Sequence, residues 1–132
     1  MSELKRTSIS AGRLIYSLLT SDPDVAASVT KVYPVVEPME AKCPYIVYRR
    51  SSLSSSPQKY GQLGADAINV IVTCFTQDYD SGVALAEKVR SVLDFCNTEL
   101  DGQRMRSCYL TDASEGVEGD AYMQNLVFII KI

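Results

Sequence analysis

The sequence contains no histidine, and this removes the side chain most often used as a general base and as a metal ligand. A Ser–His–Asp or Cys–His catalytic site is therefore impossible within one chain. Neither GxGxxG nor GxxxxGK[ST] occurs, so no phosphate-binding loop is indicated. The cysteines have no zinc-site spacing, and we expect them to be reduced and buried: Cys43, Cys74, Cys96 and Cys108. We predict no enzymatic activity, no cofactor and no metal.

The chain also lacks a long apolar run and an excess of positive charge. No stretch approaches the roughly 20 apolar residues that cross a bilayer, and the polar N-terminus leads into no signal-like segment. The net charge of −3 provides no field that would draw the whole domain onto DNA or RNA. We therefore expect a protein that stays where it is made and binds neither a membrane nor nucleic acid.

What is present is the pattern of one α+β domain over residues 1–132. Apolar spacing predicts helices at about 10–20, 23–29 and 81–96, and strands at about 31–36, 44–50, 67–76, 104–111 and 122–131. The order α-α-β-β-β-α-β-β predicts a mostly antiparallel sheet of about four to five strands, with about two to three helices packed on one face.

Helix starts are marked by residues that can cap free backbone N–H groups. Ser10 is a candidate cap for the first helix, and Asp22 followed by Pro23 predicts the second, which should bring Val25, Ala26 and Val29 onto the core. Asp80 or Ser81 is expected to begin the third helix. We interpret the carboxylates Asp78 and Asp80 as helix-capping groups, against the alternative of a catalytic acid–base pair.

Two stretches are predicted to be connections. Residues 51–65 are rich in serine, glycine and proline and predict a flexible loop. Asp112–Asp120 predicts an acidic, solvated turn between the last two strands, and a calcium site there is the alternative. Tyrosines near Arg49–Arg50 and Arg104/Arg106 could mimic a base-stacking platform, but ordinary core tyrosines beside surface arginines explain them as well.

The last strand is apolar on both faces. Leu126, Phe128 and Ile130 alternate with Val127 and Ile129. A central strand covered on both sides explains this pattern, and so does a second face covered by another subunit.

Several weak motifs together resemble a known family over about residues 11–132. They are the helix Arg13–Leu19, the capped start Asp22–Val25, Val32–Pro34, the strand Pro44–Tyr48, the strand Val70–Thr76, the helix Ala84–Leu93 and a C-terminal hairpin. In this order they resemble the small tail-completion, or head–tail joining, proteins of long-tailed bacteriophages and prophages.

The resemblance implies an α+β subunit that self-associates into a ring, commonly a hexamer, and that contacts tail-tube and head-connector proteins. It implies the cytoplasm of a bacterial host and then the virion tail as locations. We expect the interfaces at Arg49, Arg50, Tyr60, Arg104, Arg106, Glu115, Glu118, Val127 and Ile129, where opposite charges can set the register of a head-to-tail contact. The alternative function is a small α+β ligand-binding or regulatory module, as a monomer or a dimer, and an enzyme is a third class.

Overall fold

Three helices pack on one face of a five-stranded sheet. The computed structural model describes residues 7–55, 66–100 and 102–132. A short 3-10 turn, Ser8–Ser10, precedes the main elements. In chain order these are α1 Gly12–Ser21, α2 Pro23–Ser28, β1 Lys31–Pro34, β2 Tyr45–Ser54, β3 Ala67–Thr76, α3 Tyr79–Leu93, β4 Thr98–Leu100, β5 Gln103–Met105, β6 Ser107–Glu118 and β7 Ala121–Lys131.

The first two helices follow the sequence signals with two corrections. Asp22 caps α2 as predicted, because its Oδ2 accepts the Val25 amide at 3.0 Å, and Pro23 occupies the first turn. Ser10, however, closes the 3-10 turn and does not cap α1, which begins after Ala11 without a side-chain cap. Ala26 was expected in the core but is exposed, since this short helix turns only Val25 fully inward.

Helix α3 starts earlier than predicted. Asp78 is the cap: its Oδ2 accepts the Ser81 amide at 3.0 Å, and its Oδ1 accepts the Ser81 hydroxyl at 2.7 Å. These hydrogen bonds from Ser81 lower the pKa of the Asp78 carboxyl. The helix ends at Leu93, so Cys96 lies beyond it. Across the described ranges, no helix is both long and apolar enough to cross a membrane.

The main sheet has the order β1-β2-β3-β7-β6. All neighbouring pairs are antiparallel except β1 and β2, which run parallel, so the sheet is mixed. Strand β3 spans the predicted residues and pairs on both sides. Strand β2 continues to Ser54 and pairs there with β3. The start of the predicted loop 51–65 is therefore strand, which corrects the prediction. Residues 56–65 of that loop lie outside the described residues.

The acidic connection Asp112–Asp120 is mostly strand, which corrects the prediction of a turn. Strand β6 runs to Glu118 and pairs with β7 from end to end except at a bulge between Leu110 and Asp112, and only Gly119 and Asp120 form the turn. Gly119 has a φ of +60°, which glycine adopts without a Cβ penalty. Charged side chains occupy this half of β6 because it lies at the sheet edge, outside the core.

The main core lies between the helices and one face of the sheet. It combines apolar residues of the helices with those of β3 and β7, and the strand residues are Ile68, Val70, Val72, Cys74, Leu126, Phe128 and Ile130. Phe128 and Ile130 are fully buried there. A smaller apolar cluster of Tyr45, Val47 and Phe75 lies on the opposite sheet face. We call that opposite face the open face, and its residues are given below.

Candidate assembly surface

The open face is built from rows of side chains that cross β2, β3, β7 and β6. The backbone register sets four rows: Tyr45, Phe75, Met123 and Gly116; Val47, Thr73, Asn125 and Ser114; Arg49, Ile71, Val127 and Asp112; and Ser52, Asn69, Ile129 and Tyr109. The first row is apolar, the second is mostly polar, and the last two combine polar and apolar side chains. In the described part of the chain, no helix packs over them.

One end of the open face is partly covered by aromatic rings. The Tyr33 ring contacts the Tyr45 ring edge-on at 5.8 Å, and Tyr45 stacks on Phe75 at 4.8 Å. Ala41 and Cys43 pack against the same cluster. Burial, helped by the nearby Glu37 carboxylate, raises the pKa of Tyr45 to about 12. The chain itself therefore covers part of this end of the face.

The chain leaves strand β1 through a strained turn. Val35 has a φ of +64°, and the Val36 amide donates to the Pro34 carbonyl at 2.6 Å, which closes a three-residue turn. A β-branched residue pays a steric cost in this conformation. The turn holds Val35 and Val36 in solvent with 66% and 68% of their surfaces exposed, and Met39 is fully exposed. Val35 and Val36, which we call the apolar tip, thus lie beside the open face.

A groove of about 290 Å³ runs between this tip and the sheet. It brings together two of the expected interface residues, Arg49 and Glu118, which come from β2 and β6. The groove is open to solvent, and polar and apolar side chains line it: Val35, Val36, Glu37, Val47, Arg49, Thr73, Phe75, Glu118, Met123 and Asn125.

The remaining arginines do not join that groove. Arg50 projects to the helix face, where its Nη1 donates to the Ile9 carbonyl at 2.8 Å. Arg104 lies opposite Glu99 in the small β4–β5 hairpin, and Arg106 follows β5; both are exposed. Tyr60 lies outside the described residues. Arg49 and Arg50 were both expected at an interface, and strand alternation places them on opposite faces of the sheet.

Val127 and Ile129 lie on the open face, as their alternation with Phe128 and Ile130 predicts. Strand β7 is central, between β3 and β6, yet both side chains are only half-buried. The helices therefore cover one side of this strand and leave the other to partial contact with neighbouring strands. Strand β7 is thus central, as the first explanation expects, and among the described elements the helices cover only one of its faces.

Glu115 makes contacts that the sequence did not indicate. Its Oε2 accepts the Tyr79 hydroxyl at 3.0 Å and the Gln124 amide at 2.9 Å. The Gln124 and Tyr79 hydrogen bonds lower the pKa of Glu115, and Glu115 in turn raises the pKa of Tyr79. The Tyr79 ring also meets Tyr122 edge-on at 6.3 Å. These residues are distant in sequence, so no local pattern marks the cluster.

The expected burial of the cysteines holds for two of the four. Cys74 and Cys108 are buried, and burial raises the pKa of the Cys74 thiol to about 12. Cys43 and Cys96 are only half-buried, which corrects the prediction for these two. Within the described ranges, no group of three or more acidic or cysteine side chains is placed to hold a metal ion.

Comparison with known proteins assigns the fold and the family. The sequence pattern of the family described as "Tail completion protein gp17" matches residues 13–131. The chain belongs to the tail completion protein gp17 family. Its fold matches a chain in the "Virion of native gene transfer agent (GTA) particle", with a TM-score of 0.76, 23% identity, and 89% and 90% of the two chains covered. None of the curated proteins matches the sequence.

Membership of this family confirms the resemblance seen in the sequence, and it makes the chain a structural protein of the phage-tail type. At 23% identity, the likeness to the gene transfer agent chain concerns the fold: helices on one face of a mixed sheet.

Proposed function

We propose that the chain is a ring subunit that completes a phage or prophage tail and joins it to the head. The observation that carries the proposal is the family match, which spans residues 13–131 and thus almost the whole domain. A ring, commonly hexameric, is what the family resemblance implies. The partners would be further copies of the chain, tail-tube subunits and head-connector proteins. The chain would act first in the host cytoplasm and then in the virion tail.

The surface of the domain supports assembly. The open face leaves Val127 and Ile129 half-buried, and an apolar tip with Val35 and Val36 stands beside it. Apolar surface of this kind, surrounded by charged groups, is typical of protein interfaces.

The alternative, a small ligand-binding module, predicts an enclosed apolar pocket with a few convergent polar groups. Four depressions on the described surface hold about 240 to 310 Å³ each and are open to solvent. Their linings mix charged and apolar groups, as with Asp22, Asp24 and Lys88 in one of them. This geometry favours contact with proteins over enclosure of a small molecule.

Sedimentation velocity of the purified chain, from low to high micromolar concentration, tests the ring. We expect a single large species to replace the monomer as concentration rises, and electron microscopy to show closed rings. The same measurement with purified tail tubes should show the chain at one tube end. A chain that stays monomeric in both settings would contradict the proposal.

A further inference from the structure

Among the residues that the structure describes, the sheet has two edges with unpaired backbone, one on each side of the sheet. On one side β1 pairs only with Tyr45–Tyr48 of β2, so the rest of that strand, Arg49–Ser54, is itself the edge. On the other side β6 is the last strand. A head-to-tail contact in a ring needs two different surfaces on one subunit, and these edges are such a pair.

The strained turn at Val35 leads the chain away from β2, so that strand β1 does not pair with Arg49–Ser54. The Val35 amide donates to the Tyr48 carbonyl at 2.8 Å, and the chain then turns away. No further backbone hydrogen bond reaches the outer side of Arg49–Ser54 from residues 7–55, 66–100 or 102–132. Because hydrogen bonding alternates along an antiparallel strand, every second residue of Arg49–Ser54 turns its main-chain donor and acceptor to this side, where they meet no described neighbour. A bulge between Arg50 and Ser52 lies within the segment.

The β6 edge is closed at its start and open beyond. The Phe95 amide donates to the Cys108 carbonyl at 2.6 Å, and Asp94 Oδ1 accepts the Leu110 amide at 3.0 Å. Past the bulge after Leu110, the outer side has no backbone partner among the described residues. Because hydrogen bonding alternates along an antiparallel strand, the main-chain groups of Glu115 and Val117 point outward.

The two edges carry opposite charges. The β2 edge begins with Arg49 and Arg50, and both are exposed. The β6 edge carries Asp112, Glu115 and Glu118, and Thr111–Glu118 includes no basic residue. A strand of one copy therefore finds a complementary strand on the next copy, whereas two identical edges would repel each other.

The strand directions and offsets also fit. Strand β2 runs antiparallel to β6, so a neighbour in the same orientation would join by antiparallel pairing. For the two free segments to overlap fully, each copy must be shifted along the strand direction by about five residues, or about 17 Å, relative to its neighbour. The four strands β2, β3, β7 and β6 of one copy span about 19 Å across the sheet. These lengths give a strand tilt of about 40°, within the range of about 35–45° seen in closed barrels.

We propose that the Arg49–Ser54 edge of one copy pairs with the Thr111–Glu118 edge of a second copy, so that the sheets of the ring become continuous. This inference rests on the ring assembly proposed above and names the surfaces that build it. The occupant of each edge is another copy of this chain, and main-chain hydrogen bonds supply the contact.

Cysteine cross-linking tests the pairing. Ser52 and Ser114 are exposed, lie on the open face, and meet when the free segments overlap fully. We expect a chain with both Ser52→Cys and Ser114→Cys to give a ladder of covalent oligomers under mild oxidation. Each single variant alone should match the unmodified chain, whose four native cysteines set the background. An equal mixture of the two single variants should give covalent dimers only.

The outcomes separate this inference from the proposed function. Wild-type protein that forms no ring would overturn both. Rings that form without the covalent ladder would overturn the edge pairing alone. Cross-linking of either single variant with itself would show a two-fold contact and would also overturn it.

A proline substitution tests the main-chain bonds independently. Val117→Pro removes an outward amide donor while leaving the inner bonds of β6 to β7 in place. We expect it to raise the concentration needed for ring formation at least tenfold and to leave the monomer's melting temperature within the range of a Val117→Thr control. An unchanged assembly concentration would contradict the proposal.

Discussion

Whether one face of the sheet is open can be tested by placing a lysine on each face in turn. Val127 is half-buried on the open face of β7, and Val72 is fully buried on the helix face of neighbouring β3. Val127→Lys can extend its ammonium group into water, so we expect it to lower the free energy of unfolding by about 1 kcal/mol, mainly through lost strand propensity. Val72→Lys would place an unpaired charge in the core, and we expect a loss of at least about 4 kcal/mol.

The assay is urea unfolding followed by circular dichroism, at a protein concentration low enough to keep the chain monomeric. We expect Val127→Lys to unfold cooperatively near the wild-type midpoint and Val72→Lys to be unfolded or nearly so without urea. If Val127→Lys is as damaging as Val72→Lys in the monomer, the second face of β7 is sealed within one chain. The sheet would then have no open face.

Three further predictions concern local structure. Replacing Asp78 with Ala should lower the free energy of unfolding, because the Ser81 amide loses its cap, and chemical denaturation at neutral pH measures this. Because the pKa of this carboxyl is lowered in the folded state, the difference from wild type should shrink as the pH falls through that lowered pKa. Tyr45 has its pKa raised from 10 to about 12, so the folded state binds its proton more tightly. Its contribution to stability is constant below pH 10 and falls by up to about 1.4 kcal/mol per pH unit above it; Tyr45→Phe should remove this part of the slope in urea melts at pH 9 to 11. Gly82→Ala should destabilise the fold despite better helix propensity, because its Cβ would lie 2.8 Å from Thr76 Oγ1, and the loss should shrink when Thr76→Ala is combined with it in a double-mutant cycle.

Much of the fold could be predicted because local signals and burial agree. The sequence of strand β3 has one apolar face and one mixed face, which predicts a strand, and its observed bounds are the expected ones, Ala67–Thr76. Asp22 and Pro23 mark a helix start by chemistry that needs no distant partner. In α3 the sequence offers Asp78, Asp80 and Ser81 as caps within one turn, and only the tertiary position of the chain selects the first.

Other features depend on partners that local sequence does not specify. The distal half of β6 is polar because it lies at an edge, and it therefore reads as a turn although it pairs with β7 throughout. The parallel direction of β1 follows from how the chain crosses the sheet, which a four-residue segment cannot encode by its own pattern.

The expected interface residues divide in the same way. Alternation places Val127 and Ile129 on one face from sequence alone, and the structure confirms that placement. The meeting of Arg49 and Glu118 in one groove, and the bond between Tyr79 and Glu115, join strands that are far apart in the chain. Such pairs appear only once the sheet order is known.

Native mass spectrometry of the purified full chain at high micromolar concentration tests assembly most directly. We expect a closed oligomer of one stoichiometry, with few intermediates, because a head-to-tail ring gains its last contact on closure. A chain that remains monomeric, or that stops at a dimer, at every concentration would contradict the account.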